Sequence, residues 1–246
     1  MGVHISRDVV RVGMFDTRGH YLHLWQEDTG DCQPFTIAQK IRAGINHLVD
    51  YRKAKPEEVS GVGVTLDGKI DFFSGVVLEA PALKWRNVPF KEHLAEILNK
   101  PVFLDDYLNC IAFAEAWQGA GWGKKNLLLI AGVEQPGIRF IEDRKPVRDK
   151  GFLNLNDTGQ ADGFSLPDDI LPLIDRLVTG ISPEVIAFSG LRPQEDQGFW
   201  AQLNRMWQSH AVREGPSLLP VELGEEAPLI GSAGIVIFGR SCHENN

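Results

Sequence analysis

Two adjacent carboxylates, Asp105 and Asp106, follow the apolar run Val102-Phe103-Leu104, and an amide side chain, Asn109, comes three residues after the second. Carboxylates and amides accept or donate hydrogen bonds in pairs, which suits the hydroxyls of a sugar. A carboxylate can also serve as a general base. Asp106 also stands just before a helical pattern, where an Asp commonly caps the helix by accepting a backbone N–H. Sugar contact, base and cap are all open from the residues. A second polar group lies in the stretch Gly151 to Gly163, with Asn154, Asn156, Asp157 and Asp162. It reads either as a ligand-contacting loop or as a solvated one.

The surrounding composition is globular: 246 residues, 43% hydrophobic and 24% charged. Net charge is −8 and the pI is about 5.4, so the bulk surface repels nucleic-acid phosphate. Cys32, Cys110 and Cys242 are an odd count at wide spacing, which argues against a disulfide framework and a zinc knuckle. No run approaches the roughly 18 apolar residues of a membrane span. The N-terminus lacks the basic-then-apolar order of a signal peptide. A cytoplasmic protein is expected.

These side chains must be positioned by an α/β framework. Val9 to Phe15 and Tyr21 to Trp25 read as a hairpin turned at Asp16-Thr17-Arg18-Gly19. Ile37, Ile41, Ile45, Leu48 and Val49 recur at helical spacing. Ser60 to Leu66 and Val102 to Leu104 read as strands, Phe90 to Leu98 and Leu108 to Gln118 as helices. Gly119 to Gly123 is a glycine-rich break. Beyond it come strands at Asn126 to Ala131, Ile138 to Ile141, Val185 to Phe188 and Val221 to Leu223. Helices are expected at Asp168 to Leu177, Phe199 to Gln208 and Pro228 to Phe238. Alternation of this kind means an α/β sheet. The expected division is an N-terminal lobe of 1–118, with 228–246 packing back on it, and a C-terminal lobe of 119–227.

The segment Pro101 to Gly121, reading PVFLDDYLNCIAFAEAWQGAG, resembles the ROK family of repressors, open reading frames and sugar kinases, whose members read roughly P-V-F-V-E-N-D-A-N-A-A-A-L-A-E-A-x-x-G-A-G. Trp85-Arg86-Asn87-Val88-Pro89-Phe90 is similar to its W-x-x-V-P-L, and Ser182 to Gly190 to its P-E-x-I-V-L-G-G-G. Pro228 to Ala233 is similar to its L-x-G-A-A. The resemblance implies a two-lobed actin-like (ribonuclease-H-like) fold with sugar and nucleotide meeting in the cleft between lobes.

It also implies a site, and this sequence departs from that site at several positions. Tyr107 falls on the family's catalytic Asp, and tyrosine, with an ordinary pKa of about 10, is a poor base at neutral pH. Asn109 falls on the second Asn of the same motif, and Asp105 and Asp106 precede it. The first phosphate loop, D-I-G-G-T-K, corresponds to His4-Ile5-Ser6-Arg7-Asp8-Val9. Side chains at Ser6 and Arg7 replace the glycines that let backbone approach phosphate. The second loop corresponds to Ala131 through Ile138, keeping Gly132 and Gly137 around Glu134 and Pro136, and Pro136 has no N–H to offer. The third keeps Gly190. The family's zinc site needs a His and a cysteine cluster, and no Cys or His occurs between Gly151 and Trp207.

The expected function is a sugar-sensing or regulatory ROK-type protein that binds without phosphoryl transfer and holds neither cofactor nor zinc. One alternative is an ATP- and magnesium-dependent kinase of a hexose or amino sugar, using Asp105 or Asp106. Another is a protein–protein scaffold anchored by Trp85, Trp117, Trp122, Trp200 and Trp207. The resemblance offers no helix-turn-helix here, so direct DNA binding is not expected. A homodimer or a regulatory protein partner is.

Overall fold

The computed structural model describes residues 1–131, 137–147, 174, 178, 182–190, 197–210 and 215–243. The chain divides into two compact units, one of Met1–Ala114 with Glu225–Asn246 and the other of Glu115–Gly224.

The first unit is built on β1 (Gly2–Ile5), β2 (Val9–Phe15), β3 (Tyr21–Asp28), β4 (Val62–Leu66) and β8 (Val102–Asp106), in the order β3-β2-β1-β4-β8. β1, β2 and β3 form an antiparallel meander, while β4 and β8 join parallel to β1. A parallel step needs a crossover, and helix α1 (Pro34–Tyr51) supplies it. Its Ile37, Ile41 and Leu48 join Val3, Ile5, Val10, Val64 and Leu66, and Phe90 and Leu94 of α2 (Phe90–Leu98), in one buried core.

Glycines mark the opposite face of this sheet. Gly13, Gly2 and Gly63 are paired neighbours in one row. A Cβ on Gly63 would fall 1.8 Å from the Ser232 carbonyl oxygen, and one on Gly2 2.3 Å from that of Leu229. The last helix, α5 (Ala227–His243), therefore lies directly on the backbone there. Its Gly231 does the same against Cys110 of α3 (Tyr107–Gln118), with 1.9 Å from an added Cβ to the Cys110 carbonyl. The motif Pro228 to Ala233 is thus a packing motif.

A small antiparallel sheet of β5 (Lys69–Asp71), β6 (Val76–Ala80) and β7 (Trp85–Val88) has no counterpart in the sequence reading. β5 is three residues long and shifts register at Lys69/Ile70, too short and irregular for a period-2 signal.

The second unit repeats the connectivity of the first. β9 (Leu127–Ala131), β10 (Gly137–Glu142) and β11 (Lys145–Pro146) are antiparallel, and β12 (Val185–Ser189) and β13 (Ser217–Pro220) join in parallel, in the order β11-β10-β9-β12-β13. Leu128, Ile130, Phe140, Ile186 and Phe188 form its core with Trp200 and Leu203 of α4 (Gln197–His210). The last strand is Ser217–Pro220, not Val221 to Leu223 as the sequence suggested. The Glu222 and Leu223 amides donate to the Glu115 side chain instead of to a neighbouring strand. The expected helix 168–177 lies outside the described residues except for Ile174, which is buried in this core. No helix among the described residues is long and apolar enough to cross a membrane.

Candidate functional site

The strand-to-helix corner between β8 and α3 carries the acidic pair. Asp105 and Asp106 are the last residues of β8, and Tyr107 opens the helix. Asp106 is the cap: its Oδ1 accepts the Asn109 backbone N–H at 2.9 Å. Asp105 is buried, and its Oδ1 accepts the Asp106 N–H at 2.9 Å and the Asn109 side-chain amide at 2.8 Å. Asp105, Asp106 and Asn109 are therefore one hydrogen-bonded group, held at a parallel strand's C-terminal end, where open α/β sheets place their ligands.

Tyr107 meets His4 of β1, with ring centroids 5.4 Å apart and planes tilted by 33°. Burial is the main reason the Tyr107 hydroxyl is held above its ordinary value, with Asp67 adding to it. Burial also pushes the His4 imidazole down to about 4, with the Arg11 guanidinium contributing. His4 is thus neutral near pH 7. Its depressed value has a stability consequence. Between pH 6.5 and 4 the unfolded chain binds more protons at this residue, so the fold loses stability as pH falls through that window and is unaffected above it. From pH 7 to pH 5 the loss is about 2 kcal/mol. Urea titrations at a series of pH values should show it, and His4→Gln should remove it. Superimposable profiles of the two proteins would disprove this.

The turn after β1 is closed on itself. Ser6 Oγ accepts the N–H groups of Asp8 and Val9 at 3.3 and 3.1 Å and donates to the Val9 carbonyl at 3.1 Å. The Ser6 N–H also donates to Val9, at 3.0 Å. Arg7 sits exposed at the tip.

In the second unit the strand register gathers Gly137, Ala131 and Ser189 into one row, and Gly190 follows at φ 87, a backbone region that favours glycine. Gly132 and Asn154 lie outside the described residues, as does the whole polar stretch 151–163. Among the described residues no group of three or more His, Cys, Asp or Glu could hold a metal ion.

Of the five tryptophans named as possible anchors, Trp85 and Trp200 are core residues and Trp122 is exposed. Trp85 and Trp200 cannot anchor a partner, because their surface is spent on the two hydrophobic cores. The sequence reading also passed over Glu115, the fully buried acid of α3. Its setting between Ala114 and Ala116 in an apolar helix was the available signal.

The ROK family model matches residues 1–136. A glucokinase of Halalkalibacterium halodurans is 30% identical over 135 residues, covering 53% of this chain and 40% of that protein. A xylose repressor of Caldicellulosiruptor bescii is 40% identical over 89 residues, 36% of this chain and 22% of that protein. The chain thus spans less than half the length of these relatives. A ROK hexokinase of Thermus thermophilus superposes with a TM-score of 0.76 at 18% identity, covering 99% of both chains. That likeness shows the fold, the two-lobed actin-like α/β fold of ROK sugar kinases. With more than half of its length matched by the family model, the chain belongs to the ROK family.

Proposed function

We propose that this chain is a ROK protein that senses or responds to a sugar and does not transfer phosphoryl groups. The observation that carries the reading is the His4–Tyr107 ring pair. Both residues stand where the family resemblance expects an acid, one in the first phosphate loop and one at the base. A histidine whose pKa burial has lowered to about 4 and a phenol held protonated are poor acceptors of a hydroxyl proton at neutral pH, and neither carries the negative charge that balances a magnesium ion.

The turn after β1 supports the reading. A phosphate cradle presents free N–H groups, whereas Ser6 takes those of Asp8 and Val9. Magnesium–ATP therefore does not fit this side of the site. Asp106 accepts a backbone N–H as a helix cap, and Asp105 is buried in its bonds to Asp106 and Asn109. Both are better placed to orient a sugar than to act as a base. Asp105, Asp106, Asn109 and Asn154 are the sugar-side residues of this proposal, and zinc has no part in it.

The kinase alternative rests on the glucokinase likeness, and one assay separates the two. A coupled ATP assay over hexoses and amino sugars should give no turnover above the blank. A rate near 1 s⁻¹, the low end of ordinary enzyme rates, would establish the kinase and end this proposal.

A further inference from the structure

The two sheets guard their edges unequally. An open edge strand offers N–H and C=O groups to any second strand, and folds blunt it by keeping it short or by placing Lys or Pro on it. In the second unit the edges are β11, only Lys145 and Pro146, and β13, four residues ending in Pro220. In the first unit the edge strand β8 has β5 packed beside it. The other edge, β3, has none of these guards. At eight residues it is the longest described strand, and Tyr21–Asp28 holds no Lys, Arg or Pro. A register shift at Met14/Phe15 leaves Leu22 unpaired, which guards only the start of the strand.

We propose that β3 pairs antiparallel with β3 of a second copy about a two-fold axis at Trp25, and that helix α1 packs on its counterpart over the joined strands. The proposal is independent of the sugar-sensing reading.

The backbone fixes the axis. The Thr29 N–H donates to the Asp8 carbonyl at 2.9 Å, toward the start of β2. Alternation along an antiparallel strand then turns the N–H and C=O groups of Leu24, Gln26 and Asp28 outward. The Asp28 carbonyl already accepts from the Lys40 ammonium at 2.8 Å. Leu24 and Gln26 remain. Pairing Leu24 of each copy with Gln26 of the other puts Trp25 on the axis and His23 opposite Glu27 of the second copy. Charge favours the same direction. Glu27, Asp28 and Asp31 stand at one end of β3, and Arg18 stands on the turn at the other. Antiparallel pairing brings the acids of each copy to the Arg18 end of its partner, whereas a parallel pair would set acid beside acid.

The flanking helix fits this arrangement. Lys40, Gly44 and Tyr51 of α1 meet Glu27, Trp25 and His23 in turn, the last pair stacked with ring centroids 4.1 Å apart. The helix thus runs along β3, and it lies over β2 as well. With strands about 4.8 Å apart, the two copies of α1 come to about 10 Å, an ordinary helix packing distance. Ala43, exposed beside Gly44, is small enough to allow that approach. On the opposite face Phe15 and Tyr21 meet edge to face at 5.4 Å. Tyr21 and Leu22 are 36% and 37% exposed. A strand pair alone buries too little area for a stable dimer, and these side chains add to it.

Sedimentation velocity over a concentration series, with hydrogen exchange on the same samples, tests this. The parent should dimerise, and its Leu24 and Gln26 amides should become protected as it does. Ala43→Glu changes an exposed helix position, and Gln26→Pro removes only an outward N–H. Each should weaken the dimer about tenfold or more, because by symmetry each acts twice. Circular dichroism should match the parent for both. Oxidising an equimolar mixture of Leu24→Cys and Gln26→Cys should link each variant to the other and neither to itself. A monomer at every concentration overturns the inference: bare Leu24 and Gln26 amides then mean an empty edge, and protected ones mean that a segment of the same chain covers it. A dimer that both variants leave intact lies elsewhere on the surface and overturns it too. Gln26→Cys linking to itself overturns the axis at Trp25.

Discussion

Glu115→Ala is expected to destabilise the Glu115–Gly224 unit by about 3–5 kcal/mol, three orphaned donors at about 1–3 kcal/mol each less what water recovers. The Glu115 side chain is fully buried, and its carboxyl oxygens accept the N–H groups of Ala120 at 2.9 Å, Glu222 at 3.1 Å and Leu223 at 2.9 Å. These donors come from two distant stretches, the glycine-rich turn after α3 and the segment after β13. One side chain therefore ties both to the helix. The turn is shaped around it, since a Cβ on Gly119 would lie 2.2 Å from Glu115 Oε2. Glu115→Gln should cost less than the alanine, because it keeps one accepting oxygen but turns an N–H₂ toward the donors. Urea unfolding gives the magnitude. Hydrogen exchange at the β9 and β12 amides reads this unit separately from the other, since two units need not unfold as one. A loss below about 1 kcal/mol would mean that water replaces the carboxylate, and that the residue is not the tie described.

Gly63→Ala is expected to cost about 3 kcal/mol or more, at the upper end of overpacking penalties. The clash is with backbone. The new methyl would meet the Ser232 carbonyl oxygen at 1.8 Å and its carbon at 2.6 Å. A flexible side chain could yield, but here helix α5 must lift from the sheet, loosening its packing on Gly2 as well. Gly231→Ala should behave alike, for the same reason against Cys110. Gly198→Ala is the control. That residue lies in α4 with nothing within 4 Å of an added Cβ, so the change should be neutral or stabilise by about 0.5–1 kcal/mol. Equal melting temperatures for Gly63→Ala and the parent would refute the close approach.

Together the two predictions show where local pattern stops being informative. Glycine at 63 reads in sequence as a weak point in a strand. In the fold it is the place where a helix touches backbone. Val221-Glu222-Leu223 reads as a short strand, yet the amides of Glu222 and Leu223 belong to a side chain about a hundred residues away. No window of the sequence contains both partners.

What the sequence determined by itself was what short-range chemistry controls. The period of Ile37, Ile41 and Leu48 places helix α1, because one face must be buried. Asp106 before a helical run leads to a cap, because four N–H groups at a helix start need acceptors. The ordered motifs from Trp85 to Ala233 lead to the ROK family and its fold. What only the tertiary structure decided was what strand register controls. Arg11, His4, Thr65 and Asp105 are separated by up to 101 positions in the chain yet become neighbours across four strands. The contact of His4 with Tyr107 likewise arises because β1 and the start of α3 are brought together by the parallel steps through β4 and β8. Pairing of that kind is fixed by long-range hydrogen bonding and by burial of the opposite face, neither of which any residue carries in its own neighbourhood.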